Sequence, residues 1–169
     1  TSEMLIFDRI MVDIGDDQSI DNDLSTYSSF LANMKDMLAK ADSRTLVLID
    51  EFGSGTEPAA GGAIAEAILS EFDRRGVYGV ITTHYTNLKL YASADTGVMN
   101  GAMMFDVKNI APMFRLEMGL PGNSFAFELA RKMGMPENII KDAEARAGEE
   151  FVGIERNLRK IARNRKALD

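Results

Sequence analysis

Arg44-Thr45-Leu46-Val47-Leu48-Ile49-Asp50-Glu51 runs straight into Phe52-Gly53-Ser54-Gly55-Thr56-Glu57-Pro58. An apolar run rich in β-branched residues and bounded by turn chemistry predicts a parallel strand buried on both faces. One helix later, Val77-Tyr78-Gly79-Val80-Ile81-Thr82-Thr83-His84 has the same build. Open α/β sheets bind their ligands at the carboxyl ends of such strands. Two adjacent strands of this kind bring Asp50, Glu51 and His84 to one edge.

The flanking sequence supports a parallel sheet. A strand is expected over 5–14, followed by an acidic loop over 15–24 that carries Asp16, Asp17, Asp21 and Asp23. Tyr27, Phe30, Leu31, Met34, Leu38 and Ala41 then recur at steps of three and four, the signature of an amphipathic helix, with Asp23 or Ser25 placed to cap it. After the acidic strand, Pro58 opens a second helix with Ile64, Ile68 and Phe72 on one face, and Gly76 stops it. Strand and helix alternating in this way predict an α/β, doubly wound sheet. Beyond it, 98–107 and 113–118 read as a β-hairpin turning near Asn109. Asn123 or Ser124 is placed to cap a short helix that Gly134 ends, and Pro136 starts another. Ile140, Ala147, Phe151, Ile154, Leu158 and Ile161 continue it near a seven-residue period, interrupted by Gly148 and Gly153.

Composition sets bounds on function. The 169 residues are 46% hydrophobic and 27% charged, ordinary for a soluble globular protein with a core of its own. No apolar stretch approaches the roughly 20 residues that span a bilayer, so no membrane partner is expected. The lack of cysteine removes disulfides and thiolate metal sites and fits a cytoplasmic protein. A net charge of −7 argues against a general nucleic-acid surface on this chain. The locally basic end, Arg156, Arg159, Lys160, Arg163, Arg165 and Lys166, reads as a solvated helix face or as an electrostatic contact to nucleic acid.

The acidic pair can be argued from chemical need. Phosphoryl transfer to water needs a magnesium ion to offset phosphate charge, and magnesium prefers carboxylate and water ligands. It also needs a group that orients and deprotonates the water. Asp50 would hold Mg2+ through water, Glu51 would sit beside the nucleophile, and His84 would donate to the terminal phosphate. The plain alternative is a polar strand end with a surface or capping histidine. The coincidence of all these groups at adjacent strand ends favours the nucleotide triphosphatase reading.

These residues resemble the ATPase domain of MutS proteins, and most closely their second bacterial branch. The likeness is carried by Leu48 to Pro58 and Thr82-Thr83-His84-Tyr85. It continues in Asp13 to Ile20, Leu24 to Ser29, Phe105-Asp106-Val107, Pro112 to Leu116, and Gly119 to Glu128. It covers roughly residues 5–145, with its motifs in family order. The resemblance implies that Asp50 and Glu51 are a Walker B pair and that His84 is the switch histidine. It implies that Gly53, Ser54, Gly55 and Thr56 form a loop crossing a homodimer interface. It places Ser25 and Thr26 on the signature element that reaches ATP held by the other subunit, although by themselves these hydroxyls also read as helix caps.

No Gly-x-x-x-x-Gly-Lys phosphate loop occurs in the chain. The resemblance therefore implies the later part of a P-loop, ABC-ATPase-like domain over 1–120, a helical dimerisation element over 121–145, and the start of a helical, basic linker over 146–169. Missing domains would bind DNA, including branched DNA, or the ribosome, and one would carry endonuclease activity. By itself the chain is expected to be inactive, and an incomplete sheet is expected to expose apolar edges and faces. Two other readings remain open. One is an ABC-type cassette, whose usual Leu-Ser-Gly-Gly-Gln is replaced here by Leu24-Ser25-Thr26-Tyr27. The other is a dimerisation scaffold without catalysis, which has no need of Asp50, Glu51 and His84.

Overall fold

Thr45–Ile49 (β2) is the middle strand of a three-stranded parallel sheet, between Arg9–Asp13 (β1) and Tyr78–Ile81 (β3). The computed structural model describes residues 5–14, 23–92, 96–106, 109, 111–122 and 125–148, and at 23–25 the backbone alone. Two compact units make up the chain: Thr1–Tyr91 with Thr96–Val98, and Ala92–Asp95 with Met99–Asp169.

In the first unit, Asp23–Lys40 (α1) joins β1 to β2, and Pro58–Arg74 (α2) joins β2 to β3. The strands follow one another in space, so both crossovers step in the same direction. Right-handed connections then lay both helices on the same face. That face carries Val47 (1% exposed) and Ile49 (2%), packed with Phe30, Met34 and Phe72. The opposite face is a row of Ile10, Leu46 and Tyr78 beside a row of Val12, Leu48 and Val80. There Val12 is 52% and Val80 63% exposed. The doubly wound expectation is thus corrected: among the described residues, helices cover one face only. The expectation of a bare apolar face is met.

Both helices keep the expected seam, with one expected residue of each left at its exposed border. In α1 the buried seam is Phe30, Met34 and Met37, continued by Ala41 just past its end, while Leu31 turns outward. In α2 it is Gly61, Ala65, Ile68, Leu69 and Phe72, and Ile64, expected on that face, is exposed. Ile68 and Phe72 are buried as expected; Ile64 and Ala65 are neighbours at the border of that stripe, which periodicity alone does not separate. Pro58 occupies the first turn as expected. Gly76, at φ +66°, ends the helix. The Val77 amide returns to the Phe72 carbonyl (3.0 Å) and the Gly76 amide to that of Asp73 (2.9 Å), a Schellman closure. Arg75 ties the helix ends together, donating to Glu71 (2.6 Å) and to the Leu38 carbonyl of α1 (2.5 Å).

The second unit opens with the expected hairpin, Gly101–Asp106 (β4) against Ala111–Met118 (β5), with a bulge between Met103 and Phe105. Phe105 stacks on Phe125 at 5.8 Å. Ala126–Lys132 (α4, following the short α3 at Thr86–Tyr91) closes at Gly134 (φ +84°) with a second Schellman pair. The expected caps Asn123 and Ser124 lie outside the described residues, and Phe125 stands at the cap without a side-chain bond. A further helix spans 137–148 (α5), buries Ile140, and is held to α4 by Arg131 bonding Glu137 and Glu144. The expected seven-residue seam from Phe151 onward and the basic end also lie outside the described residues. No described helix is long and apolar enough to cross a membrane.

Three measurements check this architecture. Phe72→Ala should lower unfolding free energy by about 3–5 kcal/mol in urea titrations, through lost burial and the cavity left behind. Bonds from Arg74 and Arg75 hold the Glu71 carboxyl down to about 2, below its ordinary 4.5. A lowered carboxylate stabilises above its unfolded value, and that contribution is lost as pH falls through the folded one. The urea midpoint of Glu71→Gln should therefore fall less steeply than wild type between pH 4.5 and about 2. The bare sheet face should make the isolated chain associate. Light scattering should give a mass that rises with concentration and falls in Val12→Lys/Val80→Lys.

Candidate active site

β2 ends at Ile49, so Asp50 and Glu51 lie just past the strand rather than in it. The backbone leaves the ladder because Glu51 adopts φ +50°, a left-handed conformation rare for a residue with a Cβ. Its neighbours hold it there. The Asp50 amide donates to the Asp13 carbonyl of β1 (2.9 Å), and Phe52, 1% exposed, is driven into the core edge-on to Phe30. Both carboxylates are exposed beyond the sheet, as the sequence places them.

The end of β3 reaches the same corner. Thr82 donates its hydroxyl to Asp50 Oδ1 and accepts from the Glu51 amide (3.0 Å). Thr83 donates to the Phe52 carbonyl (3.4 Å), and His84 follows, exposed. Tyr85 donates its hydroxyl to the Gly53 carbonyl (2.8 Å), and Asn87 donates to the Gly62 carbonyl (2.9 Å) and to Glu66 (2.7 Å). Burial, with Tyr27 and Glu57 nearby, pushes the Tyr85 phenol up and keeps it a donor. A Cβ on Gly61 would stand 2.6 Å from the Tyr85 oxygen, so only glycine lets α2 approach this closely.

The loop of Gly53, Ser54, Gly55 and Thr56 then passes the start of α1. A Cβ on Gly55 would lie 3.8 Å from Tyr27, the residue after Thr26. Tyr27 stacks on Phe30, and its hydroxyl is buried with no hydrogen-bond partner among the described residues. Ser25 and Thr26 lie in the first turn of α1. Thr26 is exposed, and the Ser25 side chain is outside the description.

The N-terminus of α2 has no amide left for an anion. In α2, Glu57 accepts from the amides of Ala59 (3.0 Å) and Ala60 (2.8 Å), the Gly61 amide bonds the Glu57 carbonyl, and Pro58 has no amide. Every donor of that turn is used. These amide bonds also hold the Glu57 carboxyl below its ordinary value.

The residue types suit a magnesium ion held with water and phosphate oxygens. Among the described residues no set of three or more acidic or histidine side chains forms a cage. Magnesium needs only one or two carboxylates, and with Thr82 on Oδ1 the exposed Asp50 keeps Oδ2 for a ligand.

The bonds of Thr82, Tyr85 and Asn87 and the cap made by Glu57 had no place in the sequence reading. Their bonds run between segments about 30 residues apart or cap with a residue type outside the usual set. Only the closeness of Thr82 and Tyr85 to His84 hinted at them.

Comparison with known proteins gives the family of the chain that carries this corner. MutS domain V matches residues 1–150. The chain belongs to that family and is MutS2-like. It is 46% identical to Endonuclease MutS2 of Halalkalibacterium halodurans over 154 residues, 91% of this chain and 20% of that protein. Against the proteins of the same name from Halothermothrix orenii and Brevibacillus brevis, identity is 44% and 45%, over 97% and 98% of this chain. Each of those two is covered over 21% of its length, so the chain spans about a fifth of the curated relatives it matches.

Gly61→Ala tests the contact that carries the loop. It should cost about 1–3 kcal/mol in urea unfolding, the usual penalty of overpacking. Ala63→Ser, at an exposed position of the same helix turn, should be near neutral and serves as the comparison.

Proposed function

We propose that this chain is the later part of an ATPase domain of the P-loop type, acting in a homodimer to couple ATP binding and hydrolysis to a clamp on nucleic acid. One observation carries the reading. The acidic corner, the His84 segment and the loop beside the α1 start meet on one edge of a parallel sheet, in a chain of the MutS family.

In this reading Glu51 takes the proton of the attacking water, and Asp50 holds magnesium through water. Bound there, the ion would offset charge building on the phosphate oxygens. His84 donates to the terminal phosphate, and its place between Thr83 and Tyr85 ties that contact to Phe52 and Gly53. Ser25 and Thr26 reach the nucleotide of the partner subunit, with Gly53, Ser54, Gly55 and Thr56 along the shared interface.

The domain assignment follows. Residues 1–120 are the ATPase part, 121–145 the helical dimerisation element, and 146–169 the start of a basic linker. The phosphate loop, absent from this sequence, comes from elsewhere in the native protein. So do the surfaces for branched DNA or the ribosome and the endonuclease activity that the relatives' name records. The setting is cytoplasmic.

The test is ATP hydrolysis by the native protein carrying this chain, with Glu51→Gln and Ser25→Ala measured singly and as an equal mixture. Each variant should lose about 100-fold or more in kcat, and the mixture should recover a fraction through dimers with one intact site. Wild-type turnover by both variants would overturn the reading and favour a scaffold without catalysis.

A further inference from the structure

We propose that Thr82 is the positioning residue of the acidic corner, its hydroxyl setting the Asp50 carboxylate and the Glu51 backbone together. The role rests on the ATPase reading given above for Asp50 and Glu51. Thr82 bonds each consecutive residue from Ile49 to Phe52. Its amide donates to the Ile49 carbonyl (2.9 Å), and its carbonyl accepts from the Phe52 amide (2.9 Å). Any residue at the end of β3 makes those two bonds. The other two belong to the hydroxyl alone: it donates to Asp50 Oδ1 and accepts from the Glu51 amide (3.0 Å).

Those side-chain bonds fall where the ladder has ended. Glu51 stands at φ +50°, where a residue with a Cβ is strained, and its amide meets the Thr82 oxygen where a strand would have supplied a carbonyl. Strain of this kind persists only where the surroundings over-determine it, and here the hydroxyl is one of the restraints. A β-branched residue is stiff at χ1, so threonine aims its oxygen with little freedom. The same residue stands two positions before His84, so one short segment aligns both sides of the corner. Thr82 touches neither reacting atom by itself; it acts through Asp50 and Glu51.

The experiment compares wild type, Thr82→Ser, Thr82→Val and Glu51→Gln in the native protein that carries this chain. It reads kcat and KM for ATP, and amide hydrogen exchange at Glu51 in the nucleotide-free state. Thr82→Val keeps the branched shape and loses both bonds. It should lower kcat about tenfold or more with KM within about twofold, and should speed exchange at Glu51. Thr82→Ser should hold kcat within about threefold of wild type and keep the amide protected. Exchange at Val47 and Ile49 reports the core; if Thr82→Val disturbs it, Thr82→Ala is judged by the same criteria. Unchanged kcat and protection in Thr82→Val beside an inactive Glu51→Gln overturns the role of Thr82 and leaves the ATPase reading standing. Equal losses in Thr82→Ser and Thr82→Val also overturn it, since the methyl group then matters and the hydroxyl does not. Full turnover by Glu51→Gln overturns the ATPase reading instead, and takes this role with it.

Discussion

Phe52 enters the core at 1% exposure, edge-on to Phe30 of α1, and its burial dictates the path of the chain beyond β2. A side chain of that size removes a large apolar area from water, which outweighs the roughly 1–3 kcal/mol of strain at a left-handed residue. The chain therefore turns at Glu51, lifts both carboxylates out of the sheet, and sends Gly53 to Thr56 across the top of the unit. Without that anchored ring, neither the acidic corner nor the loop has a defined place.

The corner is held from two sides. Asp13 on β1 takes the Asp50 amide, while Thr82 and Thr83 beyond β3 take the hydroxyl and carbonyl bonds around Glu51 and Phe52. Tyr85 and Asn87 extend the grip to Gly53 and the first turns of α2. The segment around His84 and the loop are thus joined by direct hydrogen bonds. Such a linked pair is what a site needs if a phosphate contact at one place is to be felt at another.

Electrostatics point the same way. The chain is acidic overall, and the Asp50 and Glu51 carboxylates are both exposed. In the proposed function, phosphates would bring further negative charge that a divalent ion would offset. The α2 N-terminus contributes nothing to an anion, because Glu57 has already answered its amides.

Much of this was legible in the residues. Strand, helix and strand order, the turn at Gly76, the hairpin and the place of Asp50, Glu51 and His84 follow from period, turn chemistry and the apolar run at Leu46 to Ile49, because those signals are local. The bare sheet face was expected from the incomplete sheet that the family resemblance implies, whereas placing both helices on one side needed the spatial order of the strands. Ile64 and Leu31 were misplaced because they stand at the border of stripes that are otherwise as expected, and period alone does not say where a stripe ends. The partners of the corner were invisible for a related reason. Thr82 meets Asp50 and Glu51, and Tyr85 meets Gly53, across about 30 residues of intervening chain. The sequence by itself determined which chemical groups stand at the strand ends. Tertiary structure decided what holds them, since hydrogen bonds between distant segments exist only once the strands lie side by side.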